Sequence, residues 1–276
     1  MIGLTILGSI VAAAVFAPLL APYSPNEQNL AADLLPQSPQ HLLGTDKLGR
    51  DVLSRILYGG RVSIFVGVAS VAVSLTLGFF IGSIAGYFGG WIDELLMRLV
   101  DVLLAFPGIL LAIALTAVLG PGLNHVVLAL CVIGWTSYAR LTRAEILLLR
   151  ERDFISAAQA LGGSPARIIV LHMLPNLASP LTIQATFHMA AAILAEGALS
   201  FLGLGIQPPS PSWGSMLNEG RQFLLVAPYL TTFPGIALMA TVLGLNLVGD
   251  ALTEIWGQRE YGQGSAKQTL NSLKPL

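Results

Sequence analysis

The sequence predicts an all-α integral membrane protein of six transmembrane helices, with a helical hairpin on the cytoplasmic side. Three observations predict it. Of 276 residues, 54% are hydrophobic and only 11% charged, too few charges to solvate an ordinary globular surface. Charge-poor stretches of roughly the 20 residues needed to cross a hydrocarbon core recur along the chain. Between two of them, an arginine-rich segment carries the caps and breaks of two short helices.

The first span is residues 2–20. It lacks a basic leading region, and its apolar run is longer than that of a cleavable signal, so it is expected to remain as an anchor. The second span is 62–87, with no charge between Arg61 and Asp93. Residues 102–139 are too long for one crossing, and Gly120-Pro121-Gly122 breaks them into two. The fifth span is 180–204 and the sixth 228–252. Six crossings place both termini on one side. The chain then divides into a first helix (1–21), an outer loop (22–61), a five-helix core (62–255) that includes an inner segment (140–179), and an inner tail (256–276).

Lys and Arg accumulate in cytoplasmic loops, and with the termini inside that side takes Arg98, Arg140, Arg143, Arg150, Arg152, Arg167, Arg259, Lys267 and Lys274. The outer side takes Lys47, Arg50, Arg55, Arg61 and Arg221. This bias sets the expected orientation. A formal net charge of -1 offers no basic field for nucleic acid. The single cysteine, Cys131, builds neither a disulfide framework nor a cysteine metal site.

In the inner segment, Asp153 is placed to cap or favour a helix running through Ala157, Ala158, Ala160 and Leu161. Gly162-Gly163 stops it. Ser164 then caps a second helix with Pro165 at its first position, followed by Arg167, Ile168, Ile169 and Leu171, and Pro175 is expected to end it. From these residues alone the pair is either a passive interfacial connector or a docking element.

Three further groups stand out. Asp46, Arg50, Asp51, Arg55 and Arg61 make a mixed-charge cluster before the second span, which either pairs internally and anchors that helix or presents a binding rim. In the fifth span Gln184, His188 and Glu196 share a face at four-residue spacing, with Ala192 between them. Polar residues at membrane depth face a cavity or a partner. They line a path or a subunit contact, or else Glu196 bonds a neighbouring helix and His188 fills space.

Enzyme chemistry finds no support. A phosphate loop needs Gly-Lys-Ser/Thr, and none of Lys47, Lys267 or Lys274 follows glycine. His-Glu-x-x-His is absent, and Asp250 has no evident aspartate partner within the spans. Ser200 and His188, twelve residues apart on one helix, are separated by about 18 Å of rise. No catalytic or metal-binding residues are expected.

Four stretches in order carry a resemblance: Gly44-Thr45-Asp46-Lys47-Leu48-Gly49-Arg50-Asp51, Ala85-Gly86-Tyr87-Phe88-Gly89-Gly90, Ser156-Ala157-Ala158 with Gly162 and Leu174-Pro175, and Leu199-Ser200-Phe201-Leu202-Gly203-Leu204-Gly205. The chain resembles the inner-membrane permeases of binding-protein-dependent ATP-binding-cassette importers, in their dipeptide, oligopeptide and nickel branch. The resemblance implies a type I importer permease in the bacterial inner membrane. It makes Ser156, Ala157, Ala158, Gly162, Gly163, Ser164, Pro165 and Arg167 the ATPase-coupling element, with Ser156 standing where the family carries an acidic residue. It also implies a second permease, two ATPase subunits holding ATP and Mg, and an extracytoplasmic solute-binding protein docking near the charged loop. No cofactor is expected in this chain, and membrane lipid surrounds it. Small peptides are the expected cargo and nickel or a metal chelate the alternative.

Overall fold

A computed structural model describes residues 1–272, with side chains as far as Trp256. The tail charges Arg259, Lys267 and Lys274 lie outside the described side chains. The architecture is all-helical, and among the described residues the only β pairing is an isolated bridge between Thr45 and Asp51. In chain order the helices are α1 (Ile2–Val15), α2 (Ala17–Leu20), α3 (Val52–Phe88), α4 (Gly90–Leu104), α5 (Gly108–Leu119), α6 (Leu123–Arg150), α7 (Asp153–Ala160), α8 (Pro165–Arg167), α9 (Leu174–Phe201), α10 (Trp213–Gly220) and α11 (Tyr229–Ser272).

Four helical stretches are long and apolar enough to cross a membrane: α3, α6, the run Pro165–Phe201 ending in α9, and the Tyr229–Trp256 part of α11. The pair α4 and α5 meets the same length and apolarity only when taken together, bent by 83° where Ala105, Phe106 and Pro107 interrupt it. Proline removes a donor and fixes its own φ. The third crossing therefore begins at Gly90, earlier than charge spacing suggested, and breaks at Pro107. The first apolar segment is interrupted at Phe16, leaving a 14-residue α1, about 21 Å long.

The second span also starts earlier than expected. Asp51 caps α3, its carboxylate accepting from the Ser54 backbone N–H and the Ser54 hydroxyl, both at 2.8 Å. The 37-residue helix is about 55 Å long, so its first turns stand above the apolar core and carry Arg55 and Arg61.

α3 packs most extensively against α6, then against α9. Its buried face is small: Gly60, Ser63, Gly67, Ser70, Ser74, Gly78, Gly82 and Gly86 recur at three- or four-residue spacing. Small residues let backbones approach closely in lipid, where apolar side chains gain nothing by leaving the hydrocarbon. A Cβ on Gly78 would lie 2.6 Å from the Trp135 carbonyl oxygen, and one on Gly82 would lie 2.8 Å from Thr142 Cβ.

On the side carrying α7, Ile155, Ile168 and Met173 are buried against Tyr138, Ile146 and Leu177. On the side carrying residues 22–61, Val52, Met216, Ala227, Tyr229 and Leu230 form a second apolar cluster.

Gly82→Leu is expected to abolish accumulation of folded protein in the membrane, whereas Gly8→Leu, where no atom lies within 4 Å of the added Cβ, should leave it unchanged. Protease resistance of the membrane-inserted chain measures both.

Candidate functional site

Three places hold the residues singled out from the sequence. In the first, the Gly44–Asp51 segment wraps around one carboxylate. Asp46 Oδ1 accepts from the Leu48 and Arg50 backbone N–H groups at 2.8 and 3.0 Å, and Asp46 Oδ2 accepts from Arg50 Nε at 2.6 Å. Arg50 Nη2 donates to Glu219 Oε2 at 2.6 Å, and Arg55 Nη2 lies 3.3 Å from the same oxygen. Arg55 Nε lies 3.5 Å from Asp46 Oδ2. Asp51 also meets His41, whose Nδ1 is 3.0 Å from Oδ1.

Asp46, Arg50, Asp51 and Arg55 are therefore buried, not arrayed on a rim; only Arg61 of the predicted five is exposed, stacked on Tyr58 at 5.8 Å. Two acidic and two basic groups, Asp46 and Glu219 with Arg50 and Arg55, neutralise one another and fasten the loop to α10. Glu219 escapes a sequence reading because it lies 169 residues from Arg50. The nearest hint is an acidic residue on the same expected side as an excess of arginine.

The second place is the α7–α8 hairpin. α7 runs Asp153–Ala160 with Arg152 at its N-cap, so Asp153 is the first helical residue, stabilising as a first-turn anion and not as a cap. Its C-terminus closes with paired backbone bonds: Gly162 N–H donates to Gln159 O at 2.9 Å and Gly163 N–H to Ala158 O at 3.0 Å. This is the Schellman arrangement, and Gly162 takes the φ of +80° that it requires. Ser164 caps α8, accepting from Arg167 N–H at 3.4 Å, with Pro165 at the first position.

Pro175 does not end the second arm, contrary to expectation. A π-helical turn, Ile168–Met173, precedes it, and the chain continues as helix to Phe201. The wider turn leaves room for the proline ring, which would otherwise crowd the carbonyl four residues back. Ser156, Ala157, Gly162 and Arg167 are exposed, and Leu161 at the tip is 88% exposed. A recess of about 440 Å³ lies beside the turn, bounded by Phe154, Ala158, Leu161, Arg167 and His172.

The third place is the polar face of α9. Each four-residue step drifts about 40°, so Gln184 and Glu196 diverge by about 120°. Glu196 is wholly buried and accepts from Ser63 Oγ at 2.9 Å and Ser200 Oγ at 2.7 Å, tying α9 to α3. Gln184 is half-buried. His188 Nδ1 lies 3.1 Å from the Tyr138 hydroxyl on α6, and its ring borders a cavity of about 250 Å³ between α5, α6 and α9. Among the described residues, no three His, Cys, Asp or Glu side chains are grouped as a metal site.

An all-helical membrane bundle with polar groups turned inward along one helix and an exposed, firmly capped hairpin has the build of a transport permease. Residues 78–260 match the family described as binding-protein-dependent transport system inner membrane component, and residues 1–36 match the N-terminal TM domain of oligopeptide transport permease C. The chain belongs to the first of these families: it is a multi-pass inner-membrane permease subunit of a binding-protein-dependent ATP-binding-cassette importer, a transport component and not an enzyme.

It is 46% identical to the dipeptide transport system permease protein DppC of Alkalihalophilus pseudofirmus, with 92% of this chain and 83% of that protein covered. It is 41% identical to DppC of Haemophilus influenzae, covering 92% and 88%. Against the glutathione transport system permease protein GsiD of Pectobacterium atrosepticum it is 42% identical, covering 89% and 82%. In fold it is similar to a chain of the MetNI methionine ABC transporter solved in an inward-facing conformation. The TM-score is 0.51 and the identity 20%, over 70% of this chain and 93% of that one.

Removing one member of the buried ion network strands its partner, which costs about 3–5 kcal/mol. Glu219→Ala and Arg50→Ala are each expected to lower thermal stability of the purified complex by that order and to open residues 22–61 to protease. The double variant should cost clearly less than the sum.

Proposed function

We propose that this chain conducts small peptides across the membrane as one of two permease subunits, powered by two ATPase subunits that hold ATP and Mg. An extracytoplasmic binding protein delivers the cargo. The observation that carries the peptide assignment is 41–46% identity, over nine-tenths of the chain, to permeases named for dipeptide transport. Both termini and the α7–α8 hairpin then face the cytoplasm, and residues 22–61 and α10 face outward, surrounded at membrane depth by lipid. The proposed division is a first helix (1–21), outer loop (22–61), permease core (62–255) and inner tail (256–276).

Alternating access supplies the mechanism. Moving a two-state equilibrium from 1:99 to 99:1 takes a bias of about 5.5 kcal/mol, so the joint to the motor must be firm. The hairpin offers one: its turn is closed by two backbone bonds, its arms are anchored by buried Ile155 and Ile168, and its tip exposes Leu161. Ser156, Ala157, Ala158, Gly162, Gly163, Ser164, Pro165 and Arg167 form the surface offered to the ATPase. With Ser156 neutral, Arg167 and the apolar tip are left to carry the contact.

At the outer face, Asp46, Arg50, Asp51 and Arg55 hold the loop in shape, and the exposed Lys47 and Arg61 meet the binding protein. Along α9, His188 and Gln184 border the path, and Glu196 fixes the helix to α3.

ATP-dependent accumulation of a labelled dipeptide in vesicles holding the complete importer and its binding protein is the expected result. Accumulation of a nickel chelate with no peptide uptake would overturn it. Gly162→Val places a β-branched residue at positive φ, at a local cost of about 1–2 kcal/mol. It is expected to keep the assembled complex and its ATP turnover while lowering uptake per ATP. Arg61→Glu should slow binding-protein association by roughly tenfold at low salt and little at high salt, with the dissociation rate nearly unchanged; surface-immobilised complex reports both rates.

A further inference from the structure

His188 stands where two helices leave room for it. A Cβ on Gly134 of α6 would fall 2.6 Å from the imidazole Cε1 and 2.7 Å from Nε2, so only glycine admits the ring at this depth. The hydroxyl of Ser74, buried and without a hydrogen-bond partner, lies 2.5 Å from the same point. The ring's other nitrogen, Nδ1, is held by the Tyr138 hydroxyl.

That contact decides the tautomer. A tyrosine hydroxyl has one proton to give, and among the described residues Tyr138 Oη has no acceptor other than His188 Nδ1. Tyr138 therefore donates to Nδ1, and the imidazole proton sits on Nε2. The hydrogen bond of the ring among the described residues is the one at Nδ1, which leaves Nε2 without a partner in a ring that borders the cavity of about 250 Å³. The remaining walls are mostly alkyl, Leu104, Ile109, Leu130, Ile133, Ala191 and Ala195 among them, joined by Thr136, whose hydroxyl is spent on the Ile133 carbonyl at 2.7 Å, and Ser137. A recess with an unsatisfied N–H and mostly apolar sides matches a ligand with an apolar side chain and a nearby oxygen acceptor.

We propose that this recess is a peptide subsite within the membrane. Nε2–H of His188 donates to a carboxylate or backbone carbonyl oxygen of the passing peptide, an apolar side chain fills the cavity, and Tyr138 positions the imidazole. The inference rests on the peptide reading above and assigns the group that is recognised.

The probe is leucyl-photoleucine, irradiated with the purified complete importer and mapped by mass spectrometry. Cross-links are expected within residues 130–137 and 188–195. His188→Ala should lower them roughly tenfold, the loss of one hydrogen bond to a charged group. His188→Gln, whose amide N–H reaches about as far as Nε2, should restore most of them. Tyr138→Phe, which frees the tautomer, should give an intermediate yield. All three variants should assemble into the complete importer in wild-type yield with an unchanged size-exclusion profile, which separates loss of the subsite from misfolding.

Competition by dileucine but not by its C-terminal amide identifies the carboxylate as the acceptor. Equal competition identifies the backbone carbonyl, and both support the subsite. Cross-links confined to other segments, or a yield that His188→Ala leaves unchanged, overturn it. So does a loss that His188→Gln fails to restore. If the wild-type importer accumulates no peptide in vesicles, it is the peptide reading that falls.

Discussion

The close approach of α3 to α6 and α9 is the constraint on which the rest of the molecule depends. In lipid no water is released when two apolar helices meet, so contact must be won by dispersion over a tightly fitted surface. Glycine and serine along α3 supply that fit, and they fix the depth and rotation of a helix that reaches past the membrane on the loop side. Its N-terminal end then carries Asp51 and Arg55 to the loop, and a few turns on it presents Ser63 to Glu196. At its C-terminal end the Gly86 carbonyl accepts from Arg150 Nη1 at 3.0 Å. A bulkier face would move all of these together.

Charge placement follows from the same economy of space. Arg50 is 3% exposed where it meets Glu219, and losing that carboxylate leaves its charge short of a partner where little water can reach it. The Glu94–Arg98 pair on α4 is about 70% exposed at both ends and is worth about 0.3–0.5 kcal/mol as a helical i, i+4 contact. The first pair can hold a loop against a helix; the second cannot decide any geometry. Between these extremes, Asp93 on α4 accepts from Arg143 Nη2 at 2.6 Å. That pins the first turn of α4 to α6, at the end of the helix away from the bend at Pro107.

How much of this the sequence disclosed depended on whether the deciding contacts were local. The hairpin turn was legible because Gly162, Ser164 and Pro165 act within a few residues of themselves. The break at 120–122 was legible for the same reason. The start of α3 was not, because the charges of residues 50–61 read as solvent-exposed loop until Glu219 is brought beside them. The end of the second hairpin arm misled because proline is a sound helix terminator in water, and the π turn before Pro175 removes its clash. At the candidate path, the spacing of Gln184, His188 and Glu196 correctly put them on one helix, but only the positions of Ser63 and Tyr138 show that Glu196 turns to α3 and His188 to α6.

That continuity through Pro175 changes what the hairpin can transmit. Two short helices ended by Pro175 would have hung from the fifth span by a flexible link, and motion at their turn would have dissipated there. The run Pro165–Phe201 is instead helical throughout, so Arg167 near its beginning, His188 at its middle and Ser200 near its end lie along one element. Ile168 and Met173 bind its first turns to α6 through Tyr138 and Ile146, and Glu196 binds its last turns to Ser63. A displacement applied at the turn must therefore move these contacts as a set or bend α9 between them, and the helix offers two places to bend, the π turn and Pro180. Both lie between the hairpin and His188, so the candidate path residue sits on the segment whose position such bending would reset.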